Sequence, residues 1–232
     1  MAQNYYENEY GRYSVPDGLD ARPAVKKVKS GDVYEPRTIA FMRREVGSGD
    51  IVHAGTFFGD FLPALSSSLA EDARIWAFEP NPESFAHATR TIDLNGLSNV
   101  SLTNAAVSNG AGELLFRTHN PDGEALGGHS HMVKAPGKGI TSVKSVRLDD
   151  MIPEDRHVSI LQLDVEGHEK KALLGAKGII ERCNPIVILE DFEDVLWLIE
   201  TFGSERYDRV IQVHGNRAFL PLGRKVQTKT DG

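Results

Sequence analysis

Asp50-Ile51-Val52-His53-Ala54-Gly55-Thr56-Phe57-Phe58-Gly59-Asp60-Phe61 decides the fold, and Ile75-Trp76-Ala77-Phe78-Glu79-Pro80-Asn81 echoes it. The first stretch reads as a short buried strand, Ile51 to Ala54, that breaks at Gly55 into a turn opening a helix through Leu62 and Leu65. Gly55 and Gly59 let a backbone approach a ligand closely. The second reads as another buried strand, ending on the carboxylate of Glu79. Its distance from the glycine turn is near the ~20-residue offset at which a doubly wound α/β fold offers an acid to the hydroxyls of a bound ribose. Together the two strand ends describe a pocket for an adenosine-bearing ligand.

The spacing also ranks the adenosine ligands. A dinucleotide fold wants G-x-G-x-x-G so that a pyrophosphate can sit on bare backbone at a helix N-terminus. Here Thr56, Phe57 and Phe58 stand between the glycines and would crowd it. A cofactor without phosphates fits better, and S-adenosylmethionine is the common one. The bland alternative, that Gly55 and Gly59 only make a tight turn, is weakened by the paired Glu79.

Composition bounds the rest. A chain of 232 residues fills one α/β domain, and 40% hydrophobic with 25% charged residues is ordinary globular usage. A net charge of -7 argues against nucleic-acid and anionic-membrane partners, which need clustered Lys and Arg. Cys183 is the sole cysteine and has no intramolecular partner. The polar start lacks the apolar core of a signal peptide and no apolar run approaches membrane length, so a cytoplasmic enzyme is expected.

Residues 1–33 read as an arm set apart from a domain at 34–232. The arm holds four of the six tyrosines, Pro16, Gly18, Pro23 and the run Lys26-Lys27-Val28-Lys29, without helical or alternating apolar pattern. A flexible arm is the plain reading. Tyrosines at this density also suit docking on a partner subunit, as in a homodimer, or covering a substrate mouth. A short helix follows from Pro36 to Val46, with proline in its first turn and Gly47 past its end.

Phe61 to Leu69 looks helical. Asn81 and Pro82 open a helix whose buried side would be Phe85, Ala88 and Ile92, and Asn95-Gly96 ends it. Val100 to Thr103 is a third strand, and Asn104 to Gly110 reads as a turn. Glu113–Phe116 and Val143–Leu148 are strand-like, and Arg117 to Ser142, with five glycines and three histidines, reads as a long lid or binding loop, or else as an exposed hairpin tip. Ser159 to Asp164 is the fourth core strand, followed by a helix interrupted near Gly175 and Gly178. Pro185 to Asp191 is the fifth strand, a helix spans Val195 to Phe202, and Arg209–Val213 with Arg217–Leu220 forms a hairpin. Residues 223–232 are expected to fray.

Three acid-bearing strand ends (Glu79, Asp164, Glu190 with Asp191) and one glycine turn thus converge at the carboxyl edge of the sheet, where open α/β sheets bind ligands. Here the chain resembles the class I S-adenosylmethionine-dependent methyltransferases of the FkbM type. The blocks carrying the resemblance are Ile51-Val52-His53-Ala54-Gly55 with Gly59 and Phe61, Ala77-Phe78-Glu79-Pro80-Asn81-Pro82, Asn99-Val100, Asn104-Ala105-Ala106-Val107-Ser108, Arg147-Leu148-Asp149-Asp150, and Leu163-Asp164-Val165-Glu166-Gly167-His168-Glu169.

The resemblance implies a Rossmann-like, doubly wound seven-stranded sheet, mostly parallel with a C-terminal antiparallel hairpin. It sets His53, Ala54, Gly55, Thr56, Phe57 and Gly59 toward the methionine end of the cofactor and Glu79 on the ribose. Asn81 would border the adenosine, Asn104, Ala105 and Ala106 the adenine, and Asp164 with Glu166 the reaction site. The family usually carries aspartate at the place of His53 and Ala-Asn at Thr56-Phe57. An aspartate there can pair with the cofactor's ammonium, which a neutral histidine meets only as an acceptor.

The resemblance also implies O-methylation of a small hydroxylated acceptor, a sugar, polyketide or other natural product. Transfer to a hydroxyl needs a base, for which Asp164, His168 and Glu190 are the leading candidates, beside Asp191, His129 and His131. Each has a plain structural alternative, a helix cap for His168 and a solvated strand end for Glu190. Asp164, Glu190 and Asp191 are also the set that would hold a divalent cation, but no compact metal motif is present and no metal is expected. Two rival classes stand beside this reading, a non-catalytic S-adenosylmethionine-binding module and a nucleotide-dependent oxidoreductase.

Overall fold

The computed structural model of the chain describes residues 5–226, so the first four residues and, of the 223–232 tail expected to fray, residues 227–232 lie outside the described residues. The N-terminal segment supplies β1 (Tyr6–Asn8), β2 (Gly11–Tyr13) and α1 (Pro23–Lys29). Then come α2 (Pro36–Glu45), β3 (Asp50–Ala54), α3 (Leu62–Ser66), β4 (Ile75–Phe78), α4 (Pro82–Asn95), β5 (Val100–Thr103), β6 (Ala106–Val107), β7 (Gly112–Arg117), β8 (His131–Val133) and β9 (Ile140–Val146). The chain continues through α5 (Leu148–Met151), β10 (Val158–Leu163), α6 (Glu169–Leu174), α7 (Lys177–Cys183), β11 (Ile186–Glu190), α8 (Val195–Phe202) and the hairpin β12 (Tyr207–Val213) and β13 (Asn216–Pro221).

Seven strands form one mixed sheet in the order β12-β13-β11-β10-β3-β4-β5. Neighbours from β5 to β11 pair in parallel, and β13 runs antiparallel to both β11 and β12. Side-chain parity assigns the faces. Ile51, Ile160, Ile186 and Ile188 pack with Ile39 and Met42 of α2 and Leu62 and Leu65 of α3. Val52, Leu161, Val187 and Leu189 pack with Leu173, Ile179 and Leu198 of α6, α7 and α8. Strands buried on both faces carry near-continuous apolar runs, as β3, β10 and β11 do. After β5 the chain returns to add β10 on the other side of β3, so the order reverses between these two strands, the switch point at which such sheets leave a crevice.

At its far edge the same sheet is fastened by Asp50, which is 1% exposed. Its carboxylate accepts from Arg74 N (2.9 Å), Trp76 Nε1 (2.8 Å) and Arg156 Nε (2.8 Å), tying β3, β4 and the approach to β10 together.

Several local expectations are corrected. The segment before residue 33 is no patternless arm. Tyr13, Val25 and Val28 are buried against Phe57 and Phe58, and Ser14 N donates to Thr91 Oγ1 (3.1 Å) while Asn95 binds both backbone groups of Arg12. Because β2 lies on α4, the buried line of that helix is Ser84, Ala88 and Thr91 rather than Phe85 and Ile92, which are half-buried. Helix α3 stops at Ser66 instead of Leu69, where Ser67 and Ser68 turn their hydroxyls onto the carbonyls of Ala64 (2.9 Å) and Leu65 (2.8 Å). The turn expected at 104–110 contains β6, and the loop expected from Arg117 to Ser142 contains β8. Both join β7 and β9 in a four-stranded sheet ordered β6-β9-β7-β8.

Candidate active site

Gly55 sits at the switch point with φ +86°, and a Cβ there would lie 1.8 Å from the carbonyl oxygen of Asp164. The glycine is therefore demanded first by the close approach of β3 and β10. Three other residues with φ near +50° border the same cleft without being glycine: Glu35, Phe57 and Glu166. Such left-handed backbone at non-glycine positions is costly and gathers at functional sites.

The strained turn holds Glu79. Phe57 N donates to its Oε2 (2.8 Å) and Asn81 N to its Oε1 (2.8 Å), while Asn104 Nδ2 donates to the Glu79 carbonyl (2.7 Å). Both carboxylate oxygens are thereby fixed at the mouth of β4, with lone pairs left for a diol. Asn81 Oδ1 caps α4 through Glu83 N (3.0 Å), and Asn81 Nδ2 reaches Ser130 Oγ (3.1 Å).

The cleft is graded from apolar to polar. Phe78, Pro80, Ala105, Ala106, Val107, Phe116 and Met132 wall the end over β4 and β6. Tyr34, Glu35, His53, Asp60, Gln162, Asp164, Glu190 and Asn216 wall the other end. Gly127, Gly128, His129 and Ser130, from the 3₁₀ turn before β8, and Arg22, Pro23 and Ala24, from the start of α1, lie at its border. Phe57 packs beneath Gly127 and Gly128, and the Arg22 guanidinium donates to His129 Nδ1.

Burial shapes the electrostatics. Glu79 is pushed up to about 8 by burial, against the pull of its two backbone donors, and Asp60 to about 7 by burial and then by the charge of Glu35. Asp164 is raised well above the usual carboxylate range, by burial and then by its hydrogen bond to Glu190. Burial also raises Glu35 and Glu166. His53 is driven down to about 4 by burial, so its imidazole is neutral. It stacks on Phe61 (5.4 Å between centroids) and donates from Nδ1 to Gln162 Oε1.

Of the residues expected from the sequence, His53, Ala54, Gly55, Phe57, Glu79, Ala105, Ala106, Asp164, Glu166 and Glu190 line this one cleft. Thr56, Gly59, Asn81 and Asn104 do not. Thr56 Oγ1 turns back to the His53 carbonyl (3.1 Å), Gly59 makes the tight turn before α3, and the two asparagines support Glu79. His168 is corrected as a catalytic candidate. It is buried on the opposite face of the sheet, Nε2 against Ser108 Oγ (3.0 Å), because Gly167 turns the chain away from the cleft before α6. Asp191, beyond Glu190, is exposed outside the lining, and His131 likewise lies off it. Sequence reading missed Tyr34, Glu35, Asp60, Gln162 and Asn216. Gln162 carried a usable signal, an amide inside an otherwise apolar buried strand.

Comparison with known proteins follows from this geometry. The family model described as the methyltransferase FkbM domain matches residues 47–217. A hexuronic acid methyltransferase, AglP, of Haloferax volcanii is 27% identical over 118 residues, covering 50% of this chain and 46% of the relative. The chain therefore spans about half the length of that curated relative. The crystal structure of a methyltransferase FkbM from Methylobacillus flagellatus superposes with a TM-score of 0.53 at 18% identity, over 74% of this chain and 43% of the other, a likeness of fold.

Proposed function

This chain belongs to the FkbM methyltransferase domain family, and from that premise we propose that it is an S-adenosylmethionine-dependent methyltransferase acting on a hydroxyl of a small molecule, a sugar being the favoured class. The relative's name, a hexuronic acid methyltransferase, supports a sugar acceptor. The observation that carries the reading is the graded cleft with Glu79 fixed at its middle.

The residues present fit the cofactor. Phe78, Ala105, Ala106, Val107 and Phe116 offer a flat apolar slot to adenine, Glu79 offers both oxygens to a ribose diol, and the acids beyond it suit a cationic sulfonium and ammonium. Bound there, S-adenosylmethionine supplies an electrophilic methyl carbon whose bond to sulfur breaks with the electron pair left on sulfur. Asp164 and Glu190 lie together in the cleft, and Asp164 is raised by burial and then by Glu190 beside it. One of the pair takes the proton of the acceptor hydroxyl as its oxygen bonds to the methyl carbon. Phe57, Arg22 and the 127–130 turn cover the border and limit water.

Calorimetry with S-adenosylhomocysteine tests the reading directly. Binding is expected, and Glu79→Ala should weaken it about tenfold or more, since each of the hydrogen bonds lost with the ribose diol contributes about 1 kcal/mol. Equal affinity in the parent and the variant would remove Glu79 from the site.

A further inference from the structure

The border of the cleft carries one permanent cation. Arg22 is the only Lys or Arg among the described lining residues, and it stands half-buried just before α1. Its Nη1 donates to His129 Nδ1, and burial followed by the Arg22 charge lowers the His129 pKa. The imidazole therefore accepts while neutral and leaves the positive charge uncompensated. Among the described residues no carboxylate forms an ion pair with this guanidinium. Its edge of Nε and Nη2 keeps the side-on fork that fits a carboxylate.

Arg22 stands apart from the methionine end of the cofactor's place. The Phe57 ring reaches from the Gly55 turn to Gly127 and Gly128, so His129 and Arg22 lie on its outer side. The charges divide the same way. Arg22 acts on His129 and Glu166, whereas His53, Asp60 and Glu79 around the Gly55 turn feel no influence from it. Glu190 acts on Glu166 and His129 on one side and on Glu35 on the other, and Asp164 lies beside it. The proton-accepting pair thus sits between Arg22 and the turn.

We propose that Arg22 determines acceptor specificity, pairing with a carboxylate near the reacting hydroxyl so that a uronate is selected over a neutral sugar. The proposal rests on the methyltransferase reading above. An acceptor whose hydroxyl reaches Asp164 and Glu190 from the border meets Arg22, and a carboxylate held there fixes which hydroxyl faces the methyl. Burial raises Asp164 and Glu166, which weakens the negative charge that such an anion encounters. Arg22 also precedes residues 47–217, so this selectivity is added from outside the family-matched part of the chain.

The test uses the whole chain saturated with S-adenosylhomocysteine, its loading verified by calorimetry, and titrated under NMR observation with D-glucuronate, D-glucuronamide and D-glucose. The amide matches the uronate in size and lacks its charge. Glucuronate should bind at least tenfold more tightly than either neutral sugar. Arg22→Gln should bring the three within about twofold while S-adenosylhomocysteine affinity stays within about twofold of the parent. In the parent itself the preference should shrink several-fold as salt rises from ~0.05 to ~0.5 M, a readout that needs no variant. Equal binding of the three sugars, or binding of none by the loaded protein, overturns the inference. A tenfold loss of S-adenosylhomocysteine affinity in Arg22→Gln also overturns it, by giving Arg22 to the cofactor's carboxylate. Failure of S-adenosylhomocysteine to bind the parent sinks the methyltransferase reading, and the inference with it.

Discussion

One added methyl group at Gly55 would break the site. Its Cβ would stand 1.8 Å from the Asp164 carbonyl in a backbone conformation that L side chains rarely adopt. Gly55→Ala should therefore destabilise the chain by at least ~2 kcal/mol in urea unfolding, and a loss within ~0.5 kcal/mol would show that the two strand ends can separate freely. His168 makes the opposite case. His168→Ala should lower stability by ~1–3 kcal/mol through the lost Ser108 bond yet leave S-adenosylhomocysteine affinity unchanged. An affinity loss of tenfold would return His168 to the site. Single residues were legible where type and position made one demand, as at Gly55 and Glu79. Glu35, Asp60 and Asn216 were not, because a carboxylate or amide beside a turn is the commonest surface choice, and only the packing of α2, α3 and β13 turns these three inward.

Elements with a strong period came through the sequence almost intact. The expected helix at Val195–Phe202 is α8, and the break at Gly175 and Gly178 separates α6 from α7. Elements held by side-chain hydrogen bonds instead of periodicity did not. β1, β2 and α1 depend on Asn95, Thr91 and a few buried residues that meet only in three dimensions, and β8 depends on pairing with β7. The segment between β7 and β9 reads from the sequence as a lid or binding loop, or else as an exposed hairpin tip. Its Met132 instead stands with the apolar wall and Ser130 with the Asn81 support of Glu79. Met132→Ala should consequently weaken S-adenosylhomocysteine binding several-fold, and unchanged affinity would restore the segment to a purely covering role. At the other edge, Asp50→Ala leaves the Arg156 guanidinium and Trp76 without their acceptor and should cost ~3–5 kcal/mol, read by chemical unfolding. A cost under ~1 kcal/mol would show the strands to be fastened elsewhere.

Across the whole molecule, the buried acids and the buried histidine set the pH dependence of stability with opposite signs. Asp60 and Glu79 hold protons up to about 7 and about 8 when folded, against ~4 in an unfolded chain. The stability linked to them is fully present below pH ~4 and is lost as pH rises through those values. His53 is held near 4 against an unfolded ~6.5, so it costs stability only as pH falls below ~6.5. Between pH ~6.5 and 8.5 the acids act alone. The ligand-free melting temperature should fall across that window, and Glu79→Gln should flatten the fall. A parent curve that stays level would mean these carboxyls are far better solvated than their burial implies.

The bond from Asn216 to Glu35 joins residues 181 positions apart. β13, which carries Asn216, enters the sheet between β11 and β12, so the polar end of the cleft is closed by a segment made well after the glycine turn. Non-local closure of this kind is slow, because a long stretch of chain must lose its freedom before the contact repays it. A nascent chain thus carries the glycine turn and Glu79 well before it carries a complete pocket, and ligand capture has to wait for β13.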